Sequence, residues 1–424
     1  MKKKQQRKLA WTLLLCLGLT GCGSTAPQTS SAESDAKPQS SAVSEAASET
    51  SMGISEAAVP QTPSEKTRAE AEILLAGHKQ KNLTYKPLQD PENQFNLKEI
   101  KNIHMVAMLT GEYSVNQTKS QYGVGGTDLG VSINKGNETF FFFGDTFKNE
   151  PMSDNWRSNV AGITTDRDYT DGILFDRMIS TKTGVAKELL RGKKVDNTEM
   201  TKIPTGGISI GEDLYLSFMS VRHWGLPGEW DCNYGSVAKS SDDGETWEIL
   251  ESLQWPGDSQ FCQMAPVIEG DMVYVPGIGG GRSGSAKLMR VPVAEYENFT
   301  AYEYLTGYEE DGTPIFEKDA LERACPILQK PVGEMSFLYS EYLGEWLVTY
   351  ISGMDIIARS AKEIWGPYSK PVTIAAQEDF PGLYGAFMNP EYVSEDGKKV
   401  SFCMSLWEPV YNVAVMEMEL VRDE

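Results

Sequence analysis

Three carboxylates sit where short turns meet extended runs: Asp128 in Gly126-Thr127-Asp128-Leu129-Gly130, Asp145 in Phe143-Gly144-Asp145-Thr146-Phe147, and Glu334 just before Met335–Tyr339. Carboxyl groups gathered in a cleft can divide acid–base work, one giving a proton while another takes one. Hydrolysis of a glycosidic bond needs such a pair, an acid for the leaving oxygen and a base or nucleophile opposite it. Near these carboxylates, or in comparable turns, stand Trp156, Arg157, Asn159, Arg222, His223, Trp224, Tyr384, Asn389, Trp407 and Asn412. Aromatic planes stack on sugar C–H faces, and Arg, His and Asn bind hydroxyls, so these are the expected substrate contacts. Each Asp could equally do no more than cap its turn.

Such chemistry requires residues far apart in the chain to share one face. From about residue 100 the sequence runs in short alternating stretches punctuated by Gly, Asp and Asn. That is too long for a single sandwich and suits a repeat architecture. Five units of strand, tight turn, strand, loop and strand begin near Thr127, Gly207, Gln263, Met335 and Ala386. With a fourth strand in each, the expected fold is all-β, a five-bladed propeller over residues 100–424. The run His104–Leu109, lying before the first unit, is expected to complete the last blade and close the ring. Ser240-Ser241-Asp242-Asp243-Gly244-Glu245-Thr246-Trp247 reads as an Asp-box, a hairpin turn in which Asp bonds backbone amides and Gly takes positive φ. Its role is expected to be structural.

In an antiparallel blade, the start of the first strand, the end of the second and the start of the third share a face. Asp128, Asp145 and Glu334 all fall there. Asp128 is the expected base, since an innermost strand start points at the channel axis. Glu334, equivalent in the fourth unit, is the expected acid, and Asp145 suits either role. Gln263, Arg282, Glu229, Asp231 and Tyr411 gather on the same face, and Gly277–Gly281 is expected to form a flexible rim. Cys232 and Cys262 share it too, which makes their bridge the first pairing to test among Cys232, Cys262, Cys325 and Cys403.

The N-terminus bears on compartment. Lys2, Lys3, Lys4, Arg7 and Lys8 precede a short leucine-rich run ending in Leu19-Thr20-Gly21-Cys22. The run is shorter than the roughly 20 residues a membrane span needs, so residues 1–21 are expected to be a signal peptide. Cys22 is the expected lipidation site, placing the chain on the extracytoplasmic face of the cell membrane. Residues 22–61 are nearly all Ser, Ala, Thr, Glu, Gln and Pro, a disordered tether reaching on the order of 35 Å. Residues 62–99 are expected to hold a short helix, opened by the capping box Thr62-Pro63-Ser64-Glu65, and a connector.

A formal charge of −21 argues against nucleic acid, and contact with membrane is expected only through the lipid anchor. Three histidines and no CxxC pair leave little material for a metal site. No cofactor is expected, although a structural cation in the channel stays open. The expected partner is a polysaccharide or glycan, bound by a monomer.

These residues also carry a resemblance. The three motifs around Asp128, Asp145 and Trp156-Arg157-Ser158-Asn159 follow one another in the order and spacing of domain-of-unknown-function family 4185. So do Trp365-Gly366-Pro367-Tyr368, Tyr384-Gly385-Ala386-Phe387-Met388-Asn389-Pro390 and Ser405-Leu406-Trp407 with Tyr411-Asn412-Val413. The likeness spans about residues 100–420. Characterised members are similar to endo-D-arabinanases, inverting glycoside hydrolases on a five-bladed propeller. The resemblance implies that the carboxylates of the first two motifs lie near the reaction centre. Two further classes stay open: a catalytically inert glycan-binding lipoprotein on the same scaffold, and a sialidase, whose arginine triad and Tyr nucleophile the sequence does not assemble.

Overall fold

Phe140, Phe141, Phe142 and Phe143 form an unbroken aromatic run, and all four are buried. A strand reads this way only when both of its faces are covered. Phe140 and Phe142 pack in one core with Leu216, Phe218 and Ala238, while Phe141 and Phe143 pack in another with Phe402, Met404 and Met416. Each sheet is therefore sandwiched between its neighbours.

The computed structural model describes residues 83–85, 95–149, 152 and 154–422. The expected signal peptide, Cys22, the tether and the helix starting at Thr62 lie outside the described residues. What is described is all-β, with one short α-helix, Thr118–Tyr122, and its sheets stand in a propeller arrangement.

The first sheet runs Leu129–Lys135, Glu138–Phe143, Val160–Thr164 and Arg177–Met178. The second runs Thr201–Ile210, Asp213–Trp224, Trp230–Ser240 and Glu248–Pro256, and the fourth runs Met335–Ser340, Glu345–Ser352, Asp355–Ala361 and Val372–Ala375. The fifth begins with Leu383–Val393, Lys399–Leu406 and Asn412–Val421 and takes its next strand, Glu99–Met108, from the start of the domain. That antiparallel pairing closes the ring as expected, and Leu83–Tyr85 adds an edge strand.

The third sheet breaks the pattern. It has seven strands, and Gly284–Pro292 pairs with both Glu303–Tyr308 and Pro326–Val332. Its first strand is split into Gln263–Met264 and Val267–Glu269. Pro266 stands at the split, and a proline cannot donate to the ladder. Four sheets thus keep the plain meander read from the sequence, and the third departs from it.

The first strands of all five sheets line the same two cavities. Thr205, Ala265, Met335 and Phe387 border both cavities and divide one from the other.

The Asp-box lies between the third and fourth strands of the second sheet, as expected. Asp242 accepts from the Thr246 amide at 2.8 Å and the Thr246 hydroxyl at 2.6 Å. Gly244 has φ +80° and donates to the Ser240 hydroxyl at 3.0 Å. Trp247 sits edge-on to Phe142 across to the first sheet. Replacing Asp242 by Ala is expected to lower the unfolding free energy by about 1 kcal/mol in a denaturant titration.

Candidate active site

Asp128 owes its place to a local backbone distortion. Leu129 has φ +74° and Gly130 φ +87°, and the pairing with Glu138–Phe143 slips between Leu129 and Val131. A left-handed leucine costs roughly 1–2 kcal/mol, so surrounding bonds must hold it. The Leu129 amide donates to the Ser405 hydroxyl at 2.8 Å and the Thr127 amide to the Tyr411 carbonyl at 2.8 Å, both from the fifth sheet. The bulge turns Asp128 into the mouth of the ring instead of along the strand.

The carboxyl group meets little that could stabilise a charge. Its Oδ2 accepts from the Tyr384 hydroxyl at 2.8 Å, and its Oδ1 is buried without a hydrogen-bond partner. Oδ1 lies so close to Gly144 that a Cβ there would stand 2.3 Å away, so only glycine fits at 144. Burial chiefly, then the negative charge of Asp145, pushes Asp128 up to about 7 against the opposing Tyr384 and Tyr411 hydroxyls.

Asp145 ends the neighbouring strand run and is better held. Its Oδ1 accepts from Trp156 Nε1 at 2.7 Å and from the Thr201 hydroxyl at 2.5 Å. Burial raises it to about 6, and the bonds from Thr201 and Trp156, with the Lys194 cation, hold it below Asp128. Trp156 is fixed in turn, stacked on Phe147 at 6.1 Å with the Lys194 ammonium 4.5 Å over its ring.

Glu334 is engaged differently. Arg282 grips it in a fork, Nη2 to Oε1 at 2.7 Å and Nε to Oε2 at 2.8 Å. The guanidinium also lies over the Trp230 and Tyr384 rings, at 5.6 and 5.1 Å. Both oxygens of Glu334 are thus committed to one guanidinium and are not free to reach a leaving group. The expectation that Glu334 is the acid therefore meets a physical obstacle.

All three carboxylates line one cavity of about 450 Å³. Trp224, Tyr384 and Trp407 of the expected contacts line it as well. Trp156 reaches the site only through Asp145. Arg157 and Asn159 do not line it: they are buried and spent on backbone carbonyls, Ala186 and Gly123 for the arginine, Leu190 and Lys202 for the asparagine. Asn412 ties Gly125 to Thr110. Asn389 binds Ser132 and Asn134 beside the second cavity. Arg222 and His223 pair with Asp231 and Asp196 on the outer surface. In all six, side-chain groups expected to meet a substrate are engaged by the protein itself, which leaves them less to offer a ligand.

The glycine run is also corrected, from flexible rim to packed wall. A Cβ on Gly280 would stand 2.6 Å from the Trp230 carbonyl, and Gln263 donates to the Gly279 and Gly281 carbonyls at 3.0 Å. Cys232 and Cys262 are both free thiols, the latter donating to the Gly257 carbonyl at 3.2 Å, so their bridge is not present.

Sequence reasoning missed Thr201, Lys194 and the hairpin Trp224–Trp230. The hairpin had a signal: two tryptophans flank Gly225-Leu226-Pro227-Gly228, and cross-strand pairing sets their rings 5.5 Å apart. Thr201 has none, because its tie to Asp145 is purely tertiary. Among the described residues no cluster of His, Cys, Asp and Glu could hold a metal ion.

A family model described as Domain of unknown function (DUF4185) matches residues 113–417. The chain belongs to the DUF4185 family. No curated protein matches it. Among solved structures, this DUF4185 chain is similar to a provisionally assigned hydrolase from Bacteroides ovatus, at 12% identity, TM-score 0.49, over 86% of this chain and 97% of that one. A GH43_1 enzyme from Xanthomonas citri follows at 11% identity and TM-score 0.42, over 70% and 87%. A xylan beta-1,4-xylosidase from Bacillus halodurans matches at 11% identity and TM-score 0.42, over 71% of this chain and 54% of its own.

The raised value of Asp128 has a consequence for stability. It lies above the 3.8 of an exposed aspartate, so ionisation opposes folding. The penalty is absent below about pH 4 and complete above about pH 7. Asp128→Asn is expected to stabilise the protein at pH 8 by about 1 kcal/mol or more, the gain fading as the pH falls towards 4, in melts across that range.

Proposed function

We propose that this protein is a glycoside hydrolase acting on arabinan-like or other cell-envelope polysaccharide. The observation that carries the reading is the Asp128–Asp145 pair in one cavity, the first buried with Oδ1 unpartnered and the second held by Trp156 and Thr201. Asp128, the less well held of the two, is the acid, and Asp145 the base. This reverses the role expected for Asp128 and removes Glu334 from proton transfer. Glu334 instead anchors Arg282 between Trp230 and Tyr384, and Tyr384 holds Asp128.

Asp128 passes its proton to the glycosidic oxygen as the bond from the anomeric carbon breaks. Asp145 takes a proton from a water whose oxygen bonds to that carbon from the opposite side, giving inversion. Trp224 and Trp407 provide faces for the sugar rings.

Five first strands around one pair of cavities support five blades, with the seven-stranded sheet as the irregular one. Lipidation at Cys22 would hold this domain at the extracytoplasmic membrane surface.

Incubating residues 95–424 with arabinans and other envelope polysaccharides tests the reading. Activity should rise as Asp145 ionises around pH 6 and fall as Asp128 ionises around pH 7. Asp128→Asn and Asp145→Asn should each lose roughly 10²–10⁴-fold in rate. Glu334→Gln should keep measurable turnover with the same pH limbs. Saturable binding with no product from any polysaccharide would favour the inert glycan-binding reading.

A further inference from the structure

The cavity changes character with depth. Its floor holds Asp128, Asp145, Glu334 and Arg282, while its rim is largely apolar, with Glu229 as the exposed carboxylate among it. Met152, Leu226 and Trp407 line it and remain 55%, 64% and 47% exposed. Apolar side chains scattered singly on a surface need no explanation, but several converging on one opening mark a binding surface. Trp224, Pro227 and Trp230 extend the patch along the hairpin. Met219, Met264 and Met335 continue it inward with side chains that adapt their shape.

Hydrogen-bonding capacity is scarce on these walls. Gln263 is spent on Gly279 and Gly281, and the Thr205 hydroxyl on the Met264 backbone. Arg282 is the one cation in the lining among the described residues, and Glu334 already occupies it. Four carboxylates, Asp128, Asp145, Glu229 and Glu334, face the same space. An anionic sugar would be repelled there, and a bare polyhydroxylated chain would leave its hydroxyls facing hydrocarbon.

Resting on the hydrolase reading, we propose that the substrate is a neutral glycoside bearing an apolar group, alkyl, acyl or aryl, beside the scissile bond. The sugar sits at the carboxylate floor beside Trp224 and Trp407, and the apolar group against Met152 and Leu226. The rim thereby selects substituted glycans or glycolipid-like conjugates over unmodified polysaccharide.

The test is tryptophan-fluorescence titration of the protein with methyl and n-hexyl arabinofuranosides, 1-hexanol, and a phosphorylated methyl arabinofuranoside. Hydrolysis is followed in parallel. The hexyl glycoside should bind at least tenfold more tightly than either the methyl glycoside or hexanol, and the phosphorylated sugar most weakly. Leu226→Asn and Met152→Asn should shrink the hexyl preference severalfold while leaving methyl glycoside binding unchanged. Equal affinity for methyl and hexyl glycosides, or tightest binding of the phosphorylated sugar, overturns the inference. Product from both glycosides with no hexyl preference also overturns it and leaves the hydrolase reading standing. Tight hexyl binding without product from any glycoside supports the ligand class and contradicts hydrolysis.

Discussion

A carboxyl group buried against glycine backbone and phenol rings cannot ionise freely, and the site of this protein is organised around that constraint. Asp128 loses water, gains the negative neighbour Asp145, and receives only hydroxyl bonds in return. Holding it there requires the bulge at Leu129–Gly130, the absence of a side chain at Gly144, and the grip of Ser405 and Tyr411 from the last sheet. The strain and the desolvation together oppose folding, and the closely packed cores on both faces of each sheet offset them.

Ring closure makes that grip possible. Asp128 belongs to the first sheet and Tyr384, Ser405 and Tyr411 to the end of the chain, so the site forms only when chain end meets chain start. The pairing of Glu99–Met108 with Asn412–Val421 locks that meeting in place. Fold and proton affinity are thus linked, because loosening the fifth sheet would let water reach Asp128 and return it towards an ordinary aspartate.

The sequence carried the strands well because both faces of a blade are buried and turn residues punctuate each run. Four of the five units match the meander read from alternation alone, and the Asp-box fell at the strand junction expected of it. The third sheet was not legible, since Pro266 splits its first strand and the pairing of Gly284–Pro292 with two partners depends on contacts far apart in the chain. In the site, Asp128 and Asp145 were visible as aspartates at strand ends beside glycines. Polar residue type misled for Arg157, Asn159 and Asn412, whose donors serve backbone carbonyls, and for Asn389, whose donors serve Ser132 and Asn134. An arginine or asparagine has the same identity in a wall as in a binding site, and only its partners distinguish the two. Glu334 lines the cavity of the two aspartates, yet its role depends on Arg282, fifty-two residues away.

The most direct test of the account is the titration of Asp128 itself in the resting protein. Carbon-13 NMR of aspartate side-chain carboxyls would follow it between pH 3 and 9, with Asp128→Asn to assign the signal. One carboxyl should titrate near pH 7 and be absent from the variant, and a second near 6 should stay where it is once Asp128 is replaced. Every aspartate titrating near pH 4 would contradict the account, because the cavity would then hold two carboxylates and no acid.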